Sequence, residues 1–338
     1  MTKAERLKLI NDIESERDSK LLVYITGDRR GLETKIATDI FPIFHKHLME
    51  IGHQNKIDLF LYSTGGITIA GYALVNLIRE FCDEFNVIVP FKALSCATLI
   101  ALGANEIVMT PMGQLSPVDP SIQHPLGPTF HPPGSPIQQI TPVNVEDVNS
   151  FIDLAKSEFG LKKEDSLKTV FEKLVEKIHP LTLGAVQRSR MEISFLAEKL
   201  LKYHWSHQEK VDKVVQTLVR ERFSHNYIIS RREAEEELGL NIIKPEKEFT
   251  DKIINLFNQY SNILKLDTVY NPEALLGNSD KNIFTFYRGI IETNSLLHVY
   301  KTKKEVRRVI SNHPNTFIPI IGYQEKIVEE GWFEETEI

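Results

Sequence analysis

The sequence predicts an α/β fold in which parallel strands alternate with helices. Apolar runs of strand length occur at residues 21–27, 58–63 and 86–91, and segments with the apolar spacing of a helix lie between and after them. Strands that alternate with helices in this way form a parallel sheet with right-handed crossovers. We therefore expect repeated strand–helix–strand units in the first third of the chain.

The clearest helical pattern follows the second strand. In residues 67–81 the apolar side chains recur at intervals of three and four, which puts them on one face of a helix. The members of this face are Ile67, Ala70, Ala73, Leu74, Leu77, Ile78 and Phe81. Further helices are expected over residues 31–51 and 95–104, and a fourth strand is expected over 106–109.

The second half of the chain is predicted to be mostly helical before a short strand at 227–229. The expected helices span residues 145–158, 165–178, 184–204 and 209–222. Ser230 is placed to cap the next helix, with Glu233 three residues later completing a capping box. Near the end of the chain, residues 284–292 and 297–300 form a predicted hairpin, followed by mixed helix and an acidic tail.

Composition divides the chain into three parts. Residues 1–20 are predicted to be an N-terminal helix, 21–245 the main domain, and 250–338 a small mixed α/β extension. Within the main domain, the segment 111–142 is predicted to be an irregular loop that lines or covers a functional site, because proline cannot continue a regular helix or sheet. It contains nine of the chain's sixteen prolines, namely Pro111, Pro117, Pro120, Pro125, Pro128, Pro132, Pro133, Pro136 and Pro142.

Composition also restricts the functional class. The chain has 338 residues, and its 46 acidic and 40 basic residues give a net charge of −6, which argues against a general nucleic-acid surface. Two cysteines, Cys82 and Cys96, provide no disulfide framework, as is typical of a reducing compartment. The charged N-terminus contains no signal sequence, and no apolar run resembles a membrane span. We expect a cytoplasmic protein without an integral membrane segment.

Motifs for metal or nucleotide chemistry are absent from the sequence. There is no Walker A loop, no Cys-x-x-Cys and no His-Glu-x-x-His. His204 and His207 have a spacing that a metal can use, but no carboxylate or thiol pattern joins them, and a surface pair is the simpler interpretation. We therefore expect neither a metal nor a cofactor.

A serine lies where the third strand meets its helix. Ser95 follows the apolar segment 89–94 and precedes a helix of small and aliphatic residues. At such a turn the hydroxyl projects from the strand end, and the backbone N–H groups of the following turn lie beside it. A nucleophile and an oxyanion hole both need this geometry. The next residue, Cys96, is better explained as a small buried side chain than as a second nucleophile.

A diglycine turn lies at the corresponding point after the second strand. Gly65 and Gly66 follow Ser63 and Thr64 and precede the helix that begins near Ile67. Because glycine has no Cβ, a bound acyl group can approach this backbone closely, and N–H groups can turn toward it. Two such turns on successive strand–helix units, one of which carries a serine, favour a catalytic site.

The two turns together resemble the Clp protease/crotonase superfamily, most closely the serine dehydrogenase proteinase (SDH) family related to signal peptide peptidase SppA. The matching motifs are residues 61–66, 95–109, 113–120 and 227–240, and the resemblance extends over about residues 20–245. It implies a Clp/crotonase-like spiral fold and a homo-oligomer that acts on polypeptides. It also implies that Ser95 is the nucleophile, that the N–H groups of Gly66 and Cys96 form the oxyanion hole, and that Gly65 and Ala97 complete the substrate-binding turns.

The general base that a serine nucleophile needs is not evident in the sequence. The position of the Clp histidine falls on residues 117–120, which contain no histidine, and the span 93–155 contains no lysine or arginine for an SppA-type dyad. Three histidines are candidates instead. His124 and His131 lie on the proline-rich loop, and His179 lies at a joint between two helices.

Other charged residues have weaker claims to the site. Asp119 could orient a histidine, although an aspartate before proline more often serves a turn. Lys92 precedes the serine by three residues, and Lys156 follows on a predicted helix. Arg188 and Arg190 could bind a substrate carboxylate or could pair on the surface.

The sequence favours a serine peptidase that acts by acyl transfer through Ser95. Two other functions are compatible with the same turns. One is a scaffold or peptide-binding protein that kept the fold and lost the base. The other is a crotonase-type acyl-CoA enzyme, which uses the oxyanion hole without a serine nucleophile.

Overall fold

A computed structural model describes residues 3–118, 121–122, 124–131, 138–221, 227–312 and 319–338. Its centre is an eight-stranded sheet with the order β11-β4-β3-β2-β1-β12-β13-β14. The strands are β1 (Lys20–Thr26), β2 (Gln54–Tyr62), β3 (Cys82–Val89), β4 (Glu106–Met109), β5 (Gln114–Leu115), β6 (Ser121–Ile122), β7 (Thr129–Phe130), β8 (Gln139–Ile140), β9 (Val143–Asn144), β10 (Ile229–Ser230), β11 (Ile242–Ile243), β12 (Lys281–Glu292), β13 (Leu297–Asn312) and β14 (Pro319–Glu334).

Helices connect and cover these strands. Pro42 in the first turn of α2 and Asn271 at the N-cap of α11 are typical helix-start residues. The helices are α1 (Lys3–Arg17), α2 (Phe41–Ile51), α3 (Thr68–Arg79), α4 (Cys96–Leu102), α5 (Val145–Ser157), α6 (Glu164–Lys177), α7 (Pro180–Leu201), α8 (Gln208–Gln216), α9 (Arg231–Glu236), α10 (Lys247–Leu264) and α11 (Pro272–Leu276). The predicted cap at Ser230 is confirmed, since its hydroxyl accepts the backbone N–H of Glu233.

The predicted α/β class is confirmed by the strand pairing. Strands β1 to β4 and β11 run parallel to one another, and β12, β13 and β14 add antiparallel pairs beside β1. Both faces of the parallel part are buried, as such sheets require. Leu22 and Tyr24 of β1 face a core built with α2, α3, α4 and α7. Leu21 and Val23 face a second core built with α1 and α10.

The helix expected over residues 31–51 begins later than predicted. After a 3₁₀ turn at Thr38–Ile40, α2 starts at Phe41, and residues 31–37 form no helix. The reason is a contact between distant parts of the chain. The backbone of Ile36 bonds to the carbonyl of Gly65 at 2.9 Å and to the N–H of Ile67 at 2.9 Å, which holds the segment beside the diglycine turn.

The predicted hairpin after residue 284 is present, but the helix expected to follow it is wrong. Strand β12 pairs with β13 across a turn at Thr293–Leu296, and β13 continues to pair with β14 over residues 298–312 and 319–334. These strands were not predicted because they are rich in charged residues, which the sequence alone does not show to be paired. In the structure the charges are paired between neighbouring strands. Lys303 lies 2.5 Å from Glu329, and Lys304 lies 3.0 Å from Glu325.

Candidate active site

The diglycine turn is held by a chain of buried hydroxyl groups. The Thr26 hydroxyl at the end of β1 donates to the Ser63 hydroxyl at 2.7 Å. The Ser63 hydroxyl in turn accepts the backbone N–H of Gly65 at 3.0 Å. Thr26 and Ser63 are fully buried, so these bonds act away from water. The end of β1 therefore fixes the conformation of the turn that follows β2.

Both glycines are required by close contacts. Gly65 has φ +107°, which disfavours other residues, and a Cβ built on it would lie 2.8 Å from the Cβ of Ser95 and 3.2 Å from its Oγ. A Cβ on Gly66 would lie 2.1 Å from the carbonyl oxygen of Ile36. The two turns picked out in the sequence are therefore in direct contact, and the serine lies against the diglycine.

Ser95 occupies a strained turn at the start of α4. Its φ of 51° and ψ of −118° are rarely adopted by residues with a side chain, and such strain costs about 1–3 kcal/mol. Its backbone N–H donates to the hydroxyl of Ser116 at 2.8 Å. The side chain is only half-buried, and its Oγ makes no hydrogen bond within the described part of the chain. The Ser95 hydroxyl is thus accessible to a ligand.

Two of the four candidate N–H groups have no backbone acceptor in the described chain. Within the described residues, the N–H groups of Gly66 and Cys96 donate no backbone hydrogen bond. The N–H of Gly65 is taken by Ser63, and that of Ala97 donates to the carbonyl of Leu94 at 2.9 Å. Gly65 and Ala97 therefore shape the turns, whereas Gly66 and Cys96 have the free donors that an oxyanion would need.

Cys96 is a packing residue in this structure. Its side chain is fully buried, and its Sγ lies 3.2 Å from the carbonyl oxygen of Ile67. Burial raises the pKa of the thiol to about 12. Because the thiolate is the reactive form of cysteine, this thiol is inert, and Ser95 is the nucleophile candidate at the turn.

Two of the three candidate histidines, His124 and His179, lie together but away from Ser95. The ring of His179 caps α7 by accepting the N–H of Leu181 at 3.2 Å. His124 lies beside the same helix end, with its Nδ1 3.3 Å from the hydroxyl of Thr182. The described part of the proline-rich segment therefore brings His124 and His179 to one place.

The length of α7 separates this place from the serine. Leu200, near the other end of α7, contacts Gly103 at the end of α4. The helical rise puts His179 about 31 Å from Leu200 and Ser95 about 12 Å from Gly103. Allowing about 8 Å between the Cα atoms of Leu200 and Gly103, the Cα atoms of His179 and Ser95 are at least about 11 Å apart. The His179 ring, turned toward its own helix, does not reach the serine.

Among the described residues, no hydrogen bond or ion pair joins the remaining charged candidates to Ser95. Lys92 forms an ion pair with Asp28 at 2.7 Å, and Lys156 is exposed on α5. Arg188 is exposed on α7, and the Nε atom of Arg190 is buried without a hydrogen-bond partner in the described chain. Asp119 lies outside the described residues.

Two other histidines are also accounted for. His131 is exposed on the loop, and His204 lies 2.9 Å from the carbonyl oxygen of Leu102, which gives it a structural role at the end of α4. Among the residues that the structure describes, no group of three or more His, Cys, Asp or Glu side chains is arranged to hold a metal ion.

Sequence comparison shows that the region containing both turns is similar to a known protease family. The model of the ClpP-like SDH-type serine proteinases matches residues 2–129. The matched residues contain both turns but make up less than half of the chain. The match includes the diglycine turn, Ser95 and the first part of the proline-rich segment. Because the matching family consists of serine proteinases, the comparison supports the enzyme class of serine peptidases. The predicted resemblance is thereby confirmed.

Relatives and solved structures provide distant matches. Two uncharacterized proteins of Methanocaldococcus jannaschii are each 24% identical, over 75% of this chain and 79% of the first relative, and over 56% of this chain and 72% of the second. A mutant of the 1510-N membrane-bound stomatin-specific protease with a substrate peptide is 15% identical, over 72% of this chain and 81% of its own, with a TM-score of 0.37. ClpP1 from Listeria monocytogenes is 16% identical, over 72% of this chain and 97% of its own, with a TM-score of 0.35. In the described part of this chain, no helix is both long and apolar enough to cross a membrane.

Proposed function

We propose that this serine peptidase cleaves peptide bonds by acyl transfer through Ser95. The observation that carries the proposal is the contact between the two turns, in which a Cβ on Gly65 would lie 3.2 Å from the Ser95 Oγ. Two further observations support it: the Ser95 hydroxyl is half-buried and unbonded in the described chain, and the N–H groups of Gly66 and Cys96 in the same two turns donate no hydrogen bond there.

The proposed reaction follows from these groups. The Ser95 Oγ attacks the carbonyl carbon of the scissile peptide bond and gives up its proton to a base. The N–H groups of Gly66 and Cys96 stabilise the oxygen that becomes negatively charged, and each such donor contributes about 3 kcal/mol in known sites. The amine leaves with a proton, and water then releases the acyl group from Ser95.

The proton of Ser95 requires an acceptor that is not in contact with it in the described chain. His124 and His179 lie together at the start of α7, and we assign the acceptor to this pair, brought to Ser95 by a movement of α7 and its loop or supplied by a neighbouring subunit. Asp119 stays a candidate for orienting the imidazole. The proposed enzyme is a homo-oligomer that acts on polypeptides in the cytoplasm. Light scattering of the purified protein tests whether it is an oligomer.

Labelling with a fluorophosphonate tests the nucleophile. We expect the wild-type protein to be labelled at Ser95 and the Ser95→Ala variant to be unlabelled, because the probe needs an activated serine beside an oxyanion hole. Ser157→Ala, which changes an exposed serine on α5, is the matched control and should be labelled like the wild type. Unchanged labelling of Ser95→Ala would remove the proposal. Tight binding of an acyl-CoA by an unlabelled wild type would favour the crotonase-type alternative.

A further inference from the structure

Two buried hydroxyl groups join the Ser95 turn to the segment that follows β5. The Ser116 hydroxyl accepts the backbone N–H of Ser95 at 2.8 Å and lies 3.0 Å from the carbonyl oxygen of Pro117, to which it donates. The Thr98 hydroxyl accepts the N–H of Ser116 at 3.0 Å and donates to the carbonyl of Ala93 at 2.7 Å. Both side chains are almost completely buried, with exposed fractions of 1% for Ser116 and 0% for Thr98.

We propose that Ser116 and Thr98 are positioning residues for the nucleophile: together they hold Ser95 in its strained conformation and leave the N–H of Cys96 as the donor at this turn. This pair is called the hydroxyl staple. The inference rests on the proposed function of Ser95. Neither residue touches the reacting atoms, since both act through the backbone of residues 93–95.

The direction of each hydroxyl bond supports this role. Each hydroxyl has one proton, and in both residues that proton is used on a carbonyl oxygen, so the lone pairs face the incoming N–H groups. The Ser116 hydroxyl therefore accepts the Ser95 N–H while its own proton is directed at the carbonyl of Pro117. The staple also bonds to residues on both sides of Leu94, whose own N–H donates to the carbonyl of Ser63 at 3.0 Å.

Backbone strain explains why such a staple is needed. A residue with a side chain stays at φ 51° and ψ −118° only where its surroundings determine that conformation. Without the staple, the Ser95 N–H would lose its acceptor, and the turn would relax toward an ordinary conformation. Relaxation would move the Ser95 Oγ relative to the N–H groups of Gly66 and Cys96, which lowers reactivity without removing the substrate-binding surface.

The chain contains a closely matched control. Thr110 is fully buried, donates from its hydroxyl to the carbonyl of Pro90 at 2.7 Å and accepts the N–H of Met112 at 3.2 Å. It therefore makes the same two kinds of bond as Thr98, but to Pro90 and Met112, and within the described chain no hydrogen bond joins it to Ser95 or Ser116. A Thr→Val substitution is nearly isosteric at either position and removes only the hydroxyl.

The test compares the fluorophosphonate labelling kinetics and melting temperatures of Ser116→Ala, Thr98→Val, Thr110→Val and the wild type. We expect both staple variants to label Ser95 at least tenfold more slowly at saturating probe, with the half-saturating concentration unchanged. Thr110→Val should melt within a few degrees of Thr98→Val but label within twofold of the wild type. Ser116→Thr, which keeps the hydroxyl, should recover most of the rate.

Each contrary outcome has a distinct meaning. Staple variants that label at the wild-type rate would overturn the positioning role while leaving the function of Ser95 intact. Equal slowing in Thr110→Val would overturn it as well, because the loss would then follow stability alone. An unlabelled wild type would overturn the proposed function, and the positioning role with it.

Discussion

At the scale of single residues, the site depends on positions where side chains are excluded. Gly65 touches Ser95 and Gly66 touches Ile36, and neither position has room for a Cβ. The sequence predicted that both glycines matter, because a diglycine between a strand and a helix is a recognisable signal. It could not predict Ile36, whose role depends on a contact between segments about thirty residues apart.

Replacing Gly65 separates the contact with Ser95 from the effect of backbone conformation. We expect Gly65→Ala to abolish labelling of Ser95 and to destabilise the protein by about 1–3 kcal/mol, since the new methyl group would lie 2.8 Å from the Ser95 Cβ at a positive φ. The measurements are probe labelling and urea denaturation.

Gly160→Ala is the control for that substitution. Gly160 also has a positive φ, of +64°, but a Cβ there would meet nothing within 4 Å. We expect a loss of stability of about 1 kcal/mol with labelling unchanged. Full labelling of Gly65→Ala would contradict the contact between the two turns.

At the scale of elements, a buried pair of imidazoles joins α2 to the start of β13. The Nε2 of His47 lies 3.0 Å from the Nδ1 of His298, and the Nδ1 of His47 lies 3.1 Å from the hydroxyl of Thr293. Burial, with smaller contributions from His298 and Lys46, lowers the pKa of His47 to about 3. This pair stabilises the fold only when His47 is neutral.

The low pKa of His47 predicts acid sensitivity. An unfolded histidine takes up a proton as the pH falls through about 6.5, whereas folded His47 stays neutral down to about pH 3. The stability is therefore complete above pH 6.5 and is lost as the pH falls toward 3. The linkage relation gives a loss of about 2 kcal/mol from this group between pH 7 and pH 5.

His47→Gln tests this origin, because glutamine keeps a donor and an acceptor but does not titrate there. Urea denaturation at pH 7 and pH 5 should show about 2 kcal/mol less acid destabilisation in His47→Gln than in the wild type. His53→Gln, at an exposed histidine, should match the wild type. Equal pH dependence of all three proteins would rule out His47 as the source. His298, whose pKa burial also lowers while Glu334 opposes and Lys46 reinforces the shift, adds to the effect in each of them.

The strands and helices of the first 110 residues could be predicted because their apolar periodicity reflects burial on both sheet faces. Strand β14 could not be predicted in this way. Charged side chains such as Glu325 and Glu329 interrupt its apolar residues, and their partners lie on β13. A charge pattern of this kind fits an exposed helix or a tail equally well until its partner strand is known.

At the scale of the whole molecule, the main sheet continues into the C-terminal part of the chain. Strand β1 pairs with β2 on one side and with β12 on the other. A buried network supports this junction: Arg6 of α1 donates to Glu292 of β12 at 2.8 and 3.0 Å, and the hydroxyl of Tyr260 of α10 donates to Glu292 at 2.7 Å. The division into three domains stays a prediction, but strands of the second and third parts share one sheet.

Because β1 ends at Thr26, this sheet also supports the two turns of the candidate site. Thr26 bonds to Ser63, Ser63 bonds to Gly65, and Gly65 touches Ser95. The sequence contained every residue of this chain of contacts. What it lacked was the order of strands, since only neighbouring strand ends can bring the two turns together.

The most direct test of the central claim is the crystal structure of the phosphonylated protein. The expected structure has the phosphorus bonded to the Oγ of Ser95 and its phosphoryl oxygen within about 3 Å of the N–H groups of both Gly66 and Cys96. A phosphonyl group on another side chain, or an oxygen that points away from both N–H groups, would contradict the claim.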